Sequence, residues 1–122
     1  MMNVALWIVQ GMLAFAFAAA GGMKLFAYEK YKATSEKNGP SGLTRGLISF
    51  IGAAELAGAI GIVLPMAAGI APWLSGGAAV GLSTIMLLAI GYHVRRHESP
   101  VAPGILFVLA VFVGLGRFSP WT

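Results

Sequence analysis

The sequence predicts an all-α fold: an integral membrane four-transmembrane-helix bundle. Three observations support this prediction. Of its 122 residues, 58% are hydrophobic and only 10% are charged, whereas soluble domains are about half apolar and about a quarter charged. The apolar residues form four long stretches, and most charges lie between them. A soluble domain of this length would expose much of that apolar surface to water. We therefore expect one membrane-embedded domain over residues 1–122.

The four stretches are close to the roughly 20 mostly apolar residues that a helix needs to cross a bilayer. The spans are expected at about 3–27, 45–64, 72–95 and 103–118. The third opens at Pro72, a residue that suits a first helical turn because its missing N–H has no partner there. The fourth is short, so we expect it to thin the bilayer locally or to be shielded by its neighbours.

The connections differ in charge, and this difference predicts an orientation. Residues 28–44 form a long polar stretch, 65–71 a short uncharged turn and 97–102 a short loop. Seven of the eight Lys and Arg lie at the first and third connections, and only Arg117 lies near the opposite face. The positive-inside rule then places loops 28–44 and 97–102 in the cytoplasm and both termini outside. The aromatic residues divide in the same way: Trp7, Trp73 and Trp121 at outer helix ends, and Tyr28, Tyr31 and Tyr92 at inner ends.

Small residues spaced four apart predict close packing between the helices. Lipid supplies no hydrophobic drive between helices, so backbone approach through Gly, Ala and Ser becomes the main attraction. The stripes are Ala14, Ala18 and Gly22 on the first helix, Ala54 with Gly58 and Ala57 with Gly61 on the second, and Gly77 with Gly81 on the third.

Several functional classes have little support. The net charge of +4 could suit nucleic acid, but the basic residues border apolar segments, which is typical of an orientation signal, so no nucleic-acid partner is expected. Cysteine is absent, which removes disulfides and thiolate chemistry. The chain contains no Asp and no glycine-rich phosphate loop after a strand, so no hydrolase or nucleotide-binding motif is present and no catalytic residue can be assigned.

Glu55 is the most informative candidate site residue. It lies about ten residues from either end of the second span, where a charge costs about 2.5 to 3.5 kcal/mol on insertion scales. It could be a proton or cation site or an anchor for a ligand's polar group, or it could lock helices together by a hydrogen bond. Lys24, near the inner end of the first span, is its natural partner, and the alternative is a lysine that reaches to the headgroups.

His93, His97 and Gln10 are the remaining polar candidates. The two histidines are one turn apart, a spacing that can hold a metal, but Arg95 and Arg96 between them would repel a cation, so an interfacial polar turn is favoured and no metal is expected. His93 alone could complete a polar cluster with Lys24 and Glu55. Gln10 is expected to make one interhelical hydrogen bond.

Three segments resemble the DoxX-like family of small membrane proteins. The second span, from Gly52 through Glu55, Gly58 and Gly61 to Pro65, is similar to that family's glycine-and-glutamate helix. The flanking motifs are the end of the first span at 21–25 and the end of the third at 93–96. The resemblance implies a compact four-helix bundle. It also implies an association with quinol or thiosulfate oxidation, whereas related eukaryotic members are similar to assembly chaperones.

Three functional hypotheses remain. The first is a binding or accessory protein, associated with a quinone-linked membrane redox system, whose Lys24, Glu55 and His93 cluster holds an amphipathic small molecule such as a quinone-like ligand; the electrons would belong to that ligand or to a partner. The second is a non-catalytic assembly or scaffold protein. The third is a small proton-coupled transporter. The expected partners are the lipid bilayer, an amphipathic small molecule, and a membrane protein or a second copy of the chain.

Overall fold

A computed structural model describes residues 2–37, 39, 42–69 and 73–118, and in this part of the chain the regular structure is helical, with five helices and no strand. They are α1 (Met2–Phe26), α2 (Tyr28–Ser35), α3 (Arg45–Ala67), α4 (Trp73–Arg95) and α5 (Val101–Arg117). Helices α1, α3 and α4 are each long and apolar enough to cross a membrane, and α5 is equally apolar but shorter. The chain is therefore an all-helical protein of the membrane type.

The helix bounds follow the predicted stretches with three differences. The polar stretch after α1 forms the separate helix α2, because the backbone breaks at Ala27 with φ −134°. Helix α3 continues through Pro65 to Ala67, so the prediction of a turn from residue 65 was wrong. A proline close to a helix end removes only one backbone hydrogen bond, which membrane helices tolerate. Helix α5 begins at Val101 rather than 103, and the predicted opening at Pro72 lies outside the described residues.

Helix α3 begins at a side-chain cap. The Thr44 hydroxyl accepts a hydrogen bond of 3.1 Å from the Leu47 N–H, which satisfies one of the free donors of the first turn. Helices α1 and α4 end, and α3 and α5 begin, on the same side of the bundle. We call this side the basic end, because it holds the connections at 27–44 and 96–100, and most of the lysine and arginine residues lie in or beside them.

The core lies along one face of each long helix. On α1 the buried residues recur every three or four positions, which is the spacing of one helical face. This face contacts α3 and α5, and α4 contacts the same two helices from the other side. The largest buried apolar side chains are Phe17, Leu6, Leu13, Ile62, Leu82 and Val113. Large apolar side chains elsewhere, such as Phe15 and Phe26, lie on the outer surface.

Glycines set the closest helix approaches. A Cβ added to Gly21 would lie 2.5 Å from the Gly52 carbonyl oxygen, so α1 and α3 cross backbone to backbone there. Further along α3, Gly58 lies against the Leu82 side chain of α4. The predicted stripe through Gly22 was one residue out of register, because nothing lies within 4 Å of a Cβ at that position.

The other predicted glycine stripe was also misplaced. Gly77 and Gly81 of α4 face open space, and neighbouring Gly76 instead packs on the Phe118 ring. On α3, Gly61 lies against Ala78 of α4 as the stripe predicted.

Candidate functional site

The crossing of α1 and α3 builds the candidate site. Because Gly21 and Gly52 have no side chains, the two backbones meet, and the Lys24 side chain begins directly beside Gly52. The Lys24 side chain therefore starts at the level of Gly52, about one helical turn closer to the basic end than Glu55 on the facing helix. Only this close approach lets a lysine near the end of α1 reach a carboxylate about ten residues into α3.

Lys24 and Glu55 form an ion pair, in which the Lys24 Nζ donates a hydrogen bond to Glu55 Oε1. The Glu55 side chain is only 2% exposed and the Lys24 side chain 15% exposed. The ammonium also lies 5.5 Å from the centre of the Tyr31 ring, within cation–π range. The pair offsets the cost of burying either charge alone, so the structure brings together the two residues that the sequence singled out.

A cavity of about 860 Å³ adjoins this ion pair at the basic end. Helices α3 and α4 are held together where Gly58 meets Leu82, and between this contact and the basic end larger residues replace glycine at the interface and line the cavity. Its apolar lining comes mainly from Leu47, Phe50, Ile51, Ala54, Ile85, Met86, Leu88 and Ala89. Phe50 and Leu88 are exposed on the outer surface, so the cavity opens sideways between the two helices.

His93 lines the same cavity, but its hydrogen-bond partner is Glu98 rather than Glu55. Its Nδ1 lies 2.8 Å from Glu98 Oε1, in the connection after α4. The hydrogen bond from His93 lowers the pKa of Glu98, and the charge and hydrogen bond of Arg96 act in the same direction. His93 therefore shares the cavity with Lys24 and Glu55 and belongs to a second polar group at its mouth.

Two tyrosines add to the polar lining, although no sequence pattern assigned them to a site. Tyr31 of α2 and Tyr92 of α4 both line the cavity. Burial raises the pKa of Tyr31, so its hydroxyl stays neutral near pH 7 and can donate or accept a hydrogen bond. Their positions at helix ends fit an interfacial aromatic belt equally well, which hid this role in the sequence.

Gln10 lies at the opposite end of the bundle and does not line the cavity. It is fully buried, and its Nε2 donates to the Ile62 carbonyl, which is the interhelical hydrogen bond expected from the sequence. Its Oε1 accepts a hydrogen bond of 2.6 Å from Arg117 Nε, and Arg117 Nη1 donates to Asn3 Oδ1 at 2.8 Å. Arg117 is therefore a buried residue that holds Gln10 and Asn3, and the sequence did not predict this role. The one signal in the sequence was a basic residue at the end of an apolar stretch.

A second groove, of about 540 Å³, lies between α4 and α5. Among the residues that the structure describes, no ionisable side chain lines it, and the hydroxyls are bound to their own helix: Ser83 Oγ donates to the Ala79 carbonyl and Thr84 Oγ1 to the Val80 carbonyl. The described lining therefore offers no unbound side-chain hydroxyl or charge to orient a ligand. The cavity beside Glu55 is therefore the better candidate.

The two histidines do not form a pair on one helical face. Helix α4 ends at Arg95, and His97 lies beyond it with φ +58° in a left-handed turn. Across the described ranges, no group of three or more His, Asp or Glu side chains is arranged to hold a metal ion.

Long apolar helices around an ion-paired cavity define a small helical membrane protein with an internal polar site. The chain belongs to the DoxX-like family, whose family model matches residues 8–114. This match confirms the resemblance carried by the glycine-and-glutamate helix. Comparison with curated proteins and comparison with solved structures found no significant match.

Proposed function

We propose that this protein is a four-span membrane protein that binds an amphipathic small molecule from the lipid phase in the cavity beside Lys24 and Glu55. One observation carries the proposal: a buried ion pair adjoins an apolar cavity that opens sideways onto the outer surface of the bundle. An apolar pocket with a few convergent polar groups is the usual form of a small-molecule site.

The placement of α5 supports a fourth crossing. Its 17 residues span about 25 Å at 1.5 Å per residue, somewhat less than a bilayer's hydrocarbon thickness. It begins just after the connection at the end of α4, and at its other end Gly116 lies against Leu6 near the start of α1. Helix α5 thus runs alongside most of the length of α1 and α4.

The charge distribution supports cytoplasmic connections at 28–44 and 97–102, with both termini outside. Lys30, Lys32 and Lys37 are exposed at the basic end, together with Arg45 and Arg95. Since the chain has no cysteine, single cysteines at Lys32 and at Asn3 in intact cells would test this orientation with a membrane-impermeant thiol reagent. We expect labelling at Asn3 only, and labelling at Lys32 would contradict the orientation.

The lining indicates the chemistry of the ligand. Lys24 supplies a donor, Glu55 an acceptor and Tyr31 a neutral hydroxyl, while most of the wall is apolar. These groups suit an uncharged head that both accepts and donates hydrogen bonds, attached to an apolar tail. A quinol, the reduced form of a quinone-like ligand, has this form because its hydroxyls both donate and accept hydrogen bonds. The protein would then act as an accessory subunit of a quinone-linked redox system, with the electrons belonging to the ligand or to a partner.

The test is binding of a short-chain ubiquinol, kept reduced under anaerobic conditions, to the purified chain in nanodiscs, measured by calorimetry. Glu55→Gln keeps the side-chain volume but removes the charged acceptor, and the loss of one charge-assisted hydrogen bond should weaken binding by roughly tenfold or more. The matched control is Glu29→Gln, at an exposed carboxylate on α2 that does not line the cavity.

The outcomes separate the hypotheses. Equal affinity of the Glu55→Gln and Glu29→Gln proteins would show that the ion pair does not contact the ligand. No binding by the unaltered chain, together with co-purification of a membrane protein, would favour the scaffold hypothesis. Proton release on adding a hydrophobic cation would favour a transporter.

A further inference from the structure

His93 and Glu98 line the cavity at the basic end, and Glu98 is bound in turn to Arg96. We call these three linked side chains the latch. One Glu98 oxygen lies 2.8 Å from His93 Nδ1, and the other accepts a hydrogen bond of 3.2 Å from Arg96 Nε. A single carboxylate thus joins the last turn of α4 to the connection that follows it.

Arg96 also ties this connection to the one between α2 and α3. Its Nη2 donates a hydrogen bond of 2.9 Å to the Gly39 carbonyl, 57 residues away in the chain. Both connections line the cavity, Lys37 and Leu43 from one and Glu98 and Ser99 from the other. The same arginine therefore holds together the two walls of the mouth.

The backbone of the turn fixes the latch in this position. The Glu98 N–H donates to the His93 carbonyl at 2.8 Å, and the His97 N–H donates to the Val94 carbonyl at 3.1 Å. This pair of bonds, with His97 in the left-handed region, is the Schellman motif that ends many helices. Glu98 is thereby turned back towards His93.

We propose that the latch is a gate between the cavity and the aqueous phase at the basic end. When it is closed, an amphipathic ligand enters only sideways between α3 and α4, and when it opens, water and polar solutes reach Lys24 and Glu55. The route of the ligand rests on the proposed function, whereas the control of water access to the cavity does not.

Two contrasts indicate a gate rather than a fixed wall. His93 is 35% exposed, and its partners Arg96 and Glu98 lie on the connection beyond α4, whereas Glu55 is 2% exposed and lies between two packed helices. Opening the latch also requires movement of a connection only, and the glycine contacts between the helices stay intact. Connections of this kind open more readily than packed helices.

The absence of cysteine from the sequence allows a direct test of water access. Ala54→Cys places one thiol in the cavity wall, and its rate of reaction with a charged, membrane-impermeant thiol reagent is measured in nanodiscs, where both faces are reachable. In this background Arg96→Gln removes the bond to Gly39, and Arg95→Gln is the matched control at the exposed neighbouring arginine.

We expect Arg96→Gln to raise the labelling rate roughly tenfold, which corresponds to about 1.4 kcal/mol lost from the closed state, and Arg95→Gln to leave it unchanged. Glu98→Gln, which weakens both latch bonds, should act in the same direction as Arg96→Gln. Equal rates for the Arg95 and Arg96 variants would overturn the proposal.

A second thiol distinguishes gating from general loosening. Ser75→Cys places a thiol of nearly the same size at a fully buried position of α4 that does not line the cavity. Its rate should not respond to Arg96→Gln, and a parallel rise at both thiols would refute a gate. Because no ligand is added, this result is independent of ubiquinol binding, so the gate and the proposed function can fail separately.

Discussion

Replacing Gly21 by alanine should destabilise the protein, whereas the same change at Gly22 should not. A Cβ on Gly21 would lie 2.5 Å from the Gly52 carbonyl oxygen and 2.9 Å from the Leu56 nitrogen, both backbone atoms that cannot rotate away. Ordinary contact begins at 3.4 Å, so α1 and α3 would have to separate by roughly 0.9 Å at their crossing. Nothing lies within 4 Å of a Cβ at Gly22.

The two variants share every effect except the clash. Each replaces glycine by alanine inside α1, which favours the helix by about 1 kcal/mol. Forcing an extra carbon into a packed interface costs about 1 to 3 kcal/mol. The free energy of unfolding of Gly21→Ala should therefore be lower than that of Gly22→Ala by about 1 to 3 kcal/mol. The gain in helix propensity is the same in both variants, so it cancels in this difference.

Unfolding is measured by circular dichroism during titration of the detergent-solubilised protein with sodium dodecyl sulfate. Binding of short-chain ubiquinol to both variants would show whether the separation also disturbs the Lys24–Glu55 pair. If Gly21→Ala proves as stable as Gly22→Ala, the backbone crossing that positions the candidate site is refuted.

Three further predictions concern the ends of the bundle. His97→Gly should stabilise the protein by about 0.5 to 1 kcal/mol, because glycine accepts the left-handed backbone of this turn, whereas His97→Val should destabilise it. Equal midpoints of the two variants in the same titration would contradict the Schellman motif at the end of α4. The pKa of Glu98 is lowered in the folded protein, so its contribution to stability is fully present above about pH 4.3 and is lost as the pH falls through the lower folded value. Glu98→Gln should therefore flatten the acid side of a profile of melting temperature against pH, and an unchanged slope would count against the latch contacts. Arg117→Lys should cost about 1 to 3 kcal/mol, because an ammonium cannot reproduce the fork that binds Gln10 and Asn3, and wild-type stability would argue against this buried contact.

The site residues illustrate how far sequence reasoning reached. Glu55 stood out because a carboxylate deep in an apolar stretch is costly, and Lys24 followed as the basic residue closest in depth. The sequence left open whether the two side chains meet, because that depends on α1 and α3 crossing at Gly21 rather than at Gly22. Successive residues on a helix point about 100° apart, so an error of one position turns the stripe away from its partner.

Polar residues near the helix ends were harder to place. Gln10 and His93 were grouped with Glu55 because all are polar residues in or beside apolar segments. The structure places Gln10 at the opposite end, where it binds Arg117, and leaves His93 in the cavity with Glu55 but bound to Glu98. Position along a helix gives the depth of a residue, but its partner depends on the rotation of the helix and on the path of the connections.

The sequence by itself determined that the protein is helical and suited to a membrane, because hydrophobicity and segment length are sums over local residues. It also determined which end carries the positive charge. Only the tertiary structure decided which glycines touch, that α3 and α4 leave a cavity beside Glu55, and that Arg96 joins two connections 57 residues apart. These features depend on contacts between distant parts of the chain, which no local pattern encodes.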